Sequence, residues 1–337
     1  MCITKLPEVD IHSSKKIVMF LEIIGVILVI TVLKWIKRSF KLKDIRGRYV
    51  FITGCDSGFG KLLASRLDSL GVHVFAGCFT TNTLEEYRKT SNTIEPIALD
   101  VTDMESIEKA YQFVKSKLPE NTGLWALVNN AGTMGHFGPA TWLSEEDYQR
   151  PLSVNLFGMV RMVRVFLPLV LKSRGRIINM TSGSGKIAAT NVGPYSISKF
   201  AAEAYCDTLR RELYRTGVSV HIIEPGCFNT GFTDLPLITK TVSSNFEKLD
   251  DDTKEYYGTG YADKINEAFR DMIKTFESPK LYKVVDSYEH AVTARYPLMR
   301  YVVGYDSNSL IFLNTYFPEW LVDFLLCATS PTPKGRI

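Results

Sequence analysis

YVFITGCDSGFGKLLASRLDSLG, residues 49–71, is the stretch that decides the fold. Its first five residues are β-branched or aromatic with no polar alternation, the pattern of a strand buried on both faces. Gly54, Gly58 and Gly60 follow at once. A helical pattern then places Leu63, Leu67 and Leu70 on one face, with Gly71 as its stop. Glycines at this spacing, between a buried strand and an amphipathic helix, let a pyrophosphate approach the helix N-terminus. Unpaired N–H groups and the helix macrodipole favour negative charge there.

Outward from this unit the same rhythm repeats. Strand patterns recur at 72–79, 94–101, 124–130, 175–182 and 218–226, and the segments 104–118, 145–171 and 195–216 are long enough for crossover helices. Alternating strands and helices predict a Rossmann-type α/β fold, a doubly wound parallel sheet with helices on both faces. The catalytic body is expected over 48–300. Residues 231–300 lack the strand rhythm and read as helices covering the substrate.

The composition agrees: apolar residues are 45% of the 337, aromatic residues 12% and charged residues 23%, which excludes a disordered or fibrous chain. Six scattered cysteines show no CxxC or Cys/His spacing, and the five histidines show no ligand spacing, so neither a disulfide framework nor a metal site is expected. The net charge of +4 is unevenly placed. Residues 1–48 carry ten Lys or Arg against four Asp or Glu, whereas the remainder carries 30 against 32. A slightly acidic body excludes nucleic acid as a partner.

That basic excess surrounds IVMFLEIIGVILVITVL, residues 17–33, an apolar run interrupted only by Glu22. It ends in KWIKRSFKLK and not in a small-residue cleavage site, so it reads as an uncleaved membrane anchor over 17–36 behind an N-terminal tail of 1–16. Seven Lys or Arg follow the run and three precede it, which places the body on the cytosolic side. Residues 301–337 form an apolar tail. Its stretch 310–326, broken by Asn314, Pro318, Glu319 and Asp323, is expected to lie on the membrane or close the pocket.

The chemistry-bearing residues sit at strand ends. Asn129-Asn130-Ala131-Gly132 closes the fourth strand, where asparagines either face a cofactor or brace neighbouring strands. Asp100-Val101 closes the third, where the carboxylate either receives an adenine amino group or caps the helix starting near Asp103. Ser182 closes the fifth strand. Tyr195 and Lys199, four apart on a predicted helix, share a face. A free phenol has a pKa near 10, too high for a proton acceptor at neutral pH, and an ammonium one turn away lowers it.

TGCDSGFG, NNAG, the asparagine of SVNLFG, Ser182 and YSISK in this order resemble the short-chain dehydrogenase/reductase family over about residues 48–230. The resemblance implies Tyr195 as general acid/base, Lys199 as the residue that lowers its pKa and binds the nicotinamide ribose, and Ser182 as the one that orients the substrate oxygen. Asn155 would hold a water that relays the proton through Lys199. It also implies a cofactor cleft lined by Gly54, Asp56, Ser57, Gly58, Phe59, Gly60, Phe79, Asp100, Val101, Asn129, Ala131 and Gly132, closed by Pro225, Gly226 and Thr230. The stretches 195–228 and 300–333 are similar to membrane-bound retinol and hydroxysteroid dehydrogenases, which implies a lipophilic substrate and the endoplasmic reticulum membrane. The loop between Gly185 and Tyr195 is one residue longer than in that group. A dehydrogenase of the D-β-hydroxybutyrate type and a non-catalytic membrane or lipid-droplet scaffold are the alternatives, and a homodimer is left open.

NAD is expected over NADP. The second strand ends in Cys78-Phe79-Thr80, with neither the carboxylate of an NAD site nor the cation of an NADP site. The glycine turn carries Asp56-Ser57, and a carboxylate facing the ribose would repel a 2′-phosphate. Alternatively, Asp56 caps the turn and points away.

Overall fold

The computed structural model describes residues 11–91 and 93–335. Of the expected N-terminal tail, residues 1–10, Cys2 among them, lie outside the described residues. The first described element is a 29-residue helix, α1 (Ile11–Ser39). Strand β1 (Tyr49–Thr53), helix α2 (Gly58–Ser69), β2 (His73–Cys78), α3 (Thr81–Thr90), β3 (Ile94–Ala98) and α4 (Met104–Lys117) follow in alternation. Then come β4 (Ala126–Asn129), α5 (Glu145–Leu152), a π-helical turn (Ser153–Gly158), α6 (Met159–Ser173), β5 (Arg176–Met180), α7 (Gly193–Glu212) and β6 (Ser219–Pro225). Four helices, α8 (Leu235–Glu247), α9 (Asp251–Tyr257), α10 (Tyr261–Phe276) and α11 (Tyr282–Thr293), lead to β7 (Arg300–Val303), α12 (Tyr305–Tyr316) and α13 (Glu319–Cys327).

The strands form one parallel sheet in the order β3-β2-β1-β4-β5-β6-β7. The period-two geometry of a strand divides its side chains between two cores. On β1, Val50 and Ile52 enter the core shared with α2 and α11, while Phe51 enters the core shared with α4 and α6. Val74 and Ala76 against Phe75, and Ala126 and Val128 against Leu127, divide the same way. Burial on both faces is why these strands read as unbroken apolar runs. Helix α2 ends in a Schellman motif: Gly71 N–H donates to Asp68 O at 2.8 Å and Val72 N–H to Leu67 O at 3.1 Å, which satisfies carbonyls the helix leaves open. Strand order reverses between β1 and β4, so a crevice opens there at the carboxyl ends of the strands.

Two expectations need correction. β7 is a seventh strand that the sequence reading missed, and it lies across the boundary drawn between 300 and 301; Ile222 to Pro225 pair with Arg300 to Val303. Helix α11 belongs to the main core through Val284, Val285, Tyr288, Ala291 and Val292, and is not part of a cover. Only α8 to α10 form the separate apolar layer, with Ile238, Val242, Ile265 and Phe269 packed against Phe137 and Trp142.

Helix α1 carries its apolar run from Met19 to Leu33, interrupted by Glu22, with a mean hydropathy of 2.3 over its most apolar window and none of that window buried. The α5–α6 stretch is also long and apolar enough to cross a membrane, but Met162, Phe166 and Val170 are core residues. The end of α1 is tied to the body. Arg295 N–H donates to Phe40 O, Leu42 N–H donates to Thr293 O, both at 2.8 Å, and Lys41 pairs with Glu289 at 2.7 Å.

Candidate active site

The glycine turn is held from β4. Asn130 Nδ2 donates to the Thr53 and Gly54 carbonyls at 3.0 Å, and Thr53 Oγ1 accepts from the N–H groups of Asn130 and Ala131. Gly60 has no room for a side chain, since a Cβ there would lie 2.2 Å from Gly54 O and 2.6 Å from Asn130 Nδ2. The N-cap of α2, Ser57, makes no side-chain cap bond. By contrast, Asp103 caps α4 by accepting from Glu105 and Ser106 N–H. The first N–H groups of α2 are therefore left for an anion, and a dinucleotide pyrophosphate fits this turn.

Asp56 lies at the end of β2. Its oxygens accept from Phe79 N–H at 2.9 Å and from Thr80 N–H and Oγ1 at 2.8 Å. The glycine turn thus delivers a carboxylate to the strand end that carries none of its own. Phe79 itself is largely exposed, while Cys55 and Cys78 are buried packing residues. Asp100 accepts from Thr102 N–H and Oγ1, so the cap of α4 is Asp103 and not Asp100. Val101 packs against Gly158 in the π turn.

Asn129 takes the bracing role, donating to Asn179 Oδ1 at 2.8 Å with its side chain buried. Its neighbour Asn130, quoted in the NNAG turn but not among the expected cleft residues, locks the glycine turn. Its place two residues past the end of the buried LWALV run was the available signal.

The structure brings Asn155, Ser182, Tyr195 and Lys199 together at the carboxyl ends of β4 and β5. The 145–171 helix is interrupted at Asn155 by the π turn, a feature common at functional sites. There Asn155 Oδ1 accepts from Thr133 N–H at 2.8 Å, and its Nδ2 donates to Thr133 O and Ser198 Oγ, each at 2.9 Å. Lys199, 2% exposed, donates to Met180 O at 3.2 Å. Burial disfavours its charge and lowers its pKa to about 8, with Cys206 and Glu203 opposing. Desolvation pushes the Tyr195 phenol up to about 12, with the neighbouring Ser182 hydroxyl opposing. Ser182 Oγ accepts from Ser184 N–H at 3.1 Å and donates to Pro225 O at 3.4 Å.

The segment after β6 lies over this floor. Thr230 rests against Gly58, whose Cβ position is 3.1 Å from Thr230 Cβ. Phe232 packs edge-on to Tyr195 with ring centroids 5.8 Å apart. A Cβ at Gly132 would stand 3.8 Å from both Lys199 Nζ and the Phe232 ring, so these three border one small space. The tail closes over the α8–α10 cover: Tyr261 OH donates to Pro331 O, and Gly335 N–H to Tyr256 O. Among the described residues no group of His, Cys, Asp or Glu is arranged to hold a metal ion.

A parallel sheet with a glycine turn at its switch point, and a Tyr, Lys and Ser cluster beside it, defines a nicotinamide-dinucleotide-dependent oxidoreductase acting on CH–OH groups. Residues 48–235 match the model of the short chain dehydrogenase family, and the chain belongs to that family. It is 39% identical over 304 residues to retinol dehydrogenase 5 of Mus musculus, covering 90% of this chain and 95% of that one. It is 40% identical to retinol dehydrogenase 16 of Rattus norvegicus, covering 95% and 100%. With human 17-beta-hydroxysteroid dehydrogenase type 6 it shares 39% identity, covering 90% and 96%. Among solved structures, a short chain dehydrogenase/reductase from Burkholderia phymatum in complex with NAD superposes with a TM-score of 0.66 at 21% identity, covering 87% of this chain and 99% of that one. One from Burkholderia cenocepacia in complex with NADP gives 0.62 at 21% identity, covering 86% and 99%. At such identity these two speak for the fold alone.

Proposed function

We propose that this chain oxidises a secondary or allylic hydroxyl of a lipid-like alcohol, a retinoid or a hydroxysteroid, with NAD as its cofactor. The observation that carries this reading is the 39–40% identity to retinol and hydroxysteroid dehydrogenases along nine-tenths or more of the chain. The apolar layer of α8 to α10, which reaches the site through Val192 at the start of α7 and Cys227 after β6, supports a lipophilic substrate over a small hydroxy acid.

When bound, the nicotinamide ring accepts or returns a hydride. Tyr195 takes the hydroxyl proton in oxidation and gives it back in reduction, and Ser182 Oγ holds the substrate oxygen beside it. Lys199 supplies the positive charge that draws the buried phenol down toward a useful pKa, and binds the nicotinamide ribose. The Asn155 side chain is committed to Thr133 and Ser198, so the water of a proton relay falls to its main-chain carbonyl. Gly54, Ser57, Gly58, Phe59 and Gly60 cradle the pyrophosphate, and Pro225, Gly226 and Thr230 face the nicotinamide. The position of Asp56 at the end of β2 favours NAD, because a 2′-phosphate there would meet a carboxylate.

Helix α1 is read as a membrane anchor in the endoplasmic reticulum, with the body on the cytosolic side. Full-length protein in detergent, assayed with retinol, hydroxysteroids and 3-hydroxybutyrate and with each cofactor, tests the activity. The highest kcat/KM should fall to a lipid alcohol with NAD, and a preference for hydroxybutyrate would overturn the reading. Protease added to sealed microsomes should digest the body, and deletion of residues 1–36 should release much of the protein from membranes.

A further inference from the structure

We infer that Asp306, on the first turn of α12, is a positioning residue that sets the turn after β6 through the N–H of Cys227. The inference rests on the reading of 225–230 as the wall of the nicotinamide subsite. Asp306 Oδ2 accepts from Cys227 N–H at 2.6 Å across 79 residues of sequence. Its other oxygen is pressed against Gly226, where a Cβ would lie 2.0 Å from Oδ1, so only glycine fits beneath this carboxylate.

Apart from the Ser182 hydroxyl on Pro225 O, the remaining holds on the turn are main-chain. Gly226 N–H donates to Val303 O at 2.8 Å on one flank, while Ser278 N–H donates to Cys227 O at 3.0 Å and Asn229 N–H to Ser278 O at 3.1 Å on the other. Asp306 therefore adds the single charge-assisted contact, which is shorter and stronger than a neutral one. The next residue extends the same support. Ser307, 2% exposed, sits against Gly183, where a Cβ would meet its Oγ at 2.4 Å, and donates to Glu224 O at 3.4 Å. Residues 304–307 thus back both walls of the site, the turn after β6 and the turn that follows Ser182. Losing the carboxylate frees the Cys227 N–H and lets the turn relax away from a nicotinamide, while the glycine turn, which meets this segment at Thr230 against Gly58, keeps its own ties to Asn130 and so its hold on the adenosine diphosphate half.

Binding of NADH and of ADP-ribose, which lacks only the nicotinamide, to the full-length protein separates this role from general damage. Asp306→Ala should weaken NADH about tenfold, the scale of one lost charged hydrogen bond, and leave ADP-ribose within about twofold. Asp306→Asn, which keeps an acceptor oxygen for Cys227 N–H, should recover most of the loss. Equal weakening of both ligands, or unchanged binding of NADH, overturns the inference. Thr230→Ala checks the reading beneath it. If Thr230→Ala weakens NADH selectively and Asp306→Ala does not, only the role of Asp306 fails; if neither does, the assignment of 225–230 fails and takes this inference with it. Should Asp306→Ala not fold, Asp306→Glu, which keeps the charge but moves it by a methylene, is read the same way.

Discussion

The β1–β3 half of the cleft and the β4–β7 half present different chemistry. On the first, the groups facing the crevice are the uncapped N–H donors of α2 and a turn that Gly60 allows to close. On the second they are side chains: Ser182, Tyr195, Lys199 and, beneath them, Asn155 with its three hydrogen bonds. A main-chain site asks the sequence only for small residues at the right spacing, whereas a side-chain site needs each group held by others. The first half should therefore tolerate most side-chain changes, and the second should fail in large steps.

The largest step is expected at Tyr195. Tyr195→Phe removes the transferable proton and should lower kcat by about a thousandfold, with NADH affinity little changed in a titration. The pH dependence carries a definite sign. Burial holds the phenol protonated, near 12 in the free site, so alcohol oxidation should accelerate as pH rises and carbonyl reduction should slow. Lys199→Ala should move the oxidation limb to higher pH and weaken cofactor binding as well.

Asn155→Ala comes next. It strands Thr133 N–H and Thr133 O, leaves Ser198 Oγ only its donation to Tyr195 O, and should cost about 2 kcal/mol of stability and about tenfold to a hundredfold in kcat by loosening the floor under Lys199. Matching losses in thermal unfolding and turnover would mark it as a brace. Loss of turnover alone would give it a direct part in the chemistry.

On the main-chain half, Asp56→Ala tests the one side chain that matters there. The NADP-to-NAD ratio of kcat/KM should rise about tenfold, because the repulsive element is gone. The smallest effects separate two helix caps. Asp103→Ala should lower stability by about 1 kcal/mol, since two N–H donors lose their acceptor, and Ser57→Ala should change it by less than about 0.5 kcal/mol.

The same contrast explains what the sequence disclosed. β1, β2 and β4 were legible because burial on both faces writes them as continuous apolar runs; β5, β6 and the half-exposed edge strand β3, IEPIA, were carried by their place in the alternation, and the glycine turn by its local constraint. β7 was not: RYVV is four residues long, lies between Pro297 and Gly304, and becomes a strand only by pairing with β6. Helix α3, TNTLEEYRKT, buries only Thr83, Leu84 and Tyr87, too few for its periodicity to stand out. The π turn at Asn155 and the contact of Asp306 with Cys227 depend on partners brought from elsewhere in the chain, so no local pattern announces them.

The junction of α1 with the body has a consequence for delivery. No spacer separates the helix from the fold: Phe40 and Leu42 are already bonded to Arg295 and Thr293, at the amino-end edge of the sheet. Tyr195 and Ser182 stand at the opposite edge, one strand length or about 17 Å away. If α1 spans the bilayer as proposed, it works as a rigid handle and not as a conveyor. An alcohol waiting where the helix enters the lipid is out of reach of the phenol, and the distance is closed by the tilt of the body or by the length of the substrate itself.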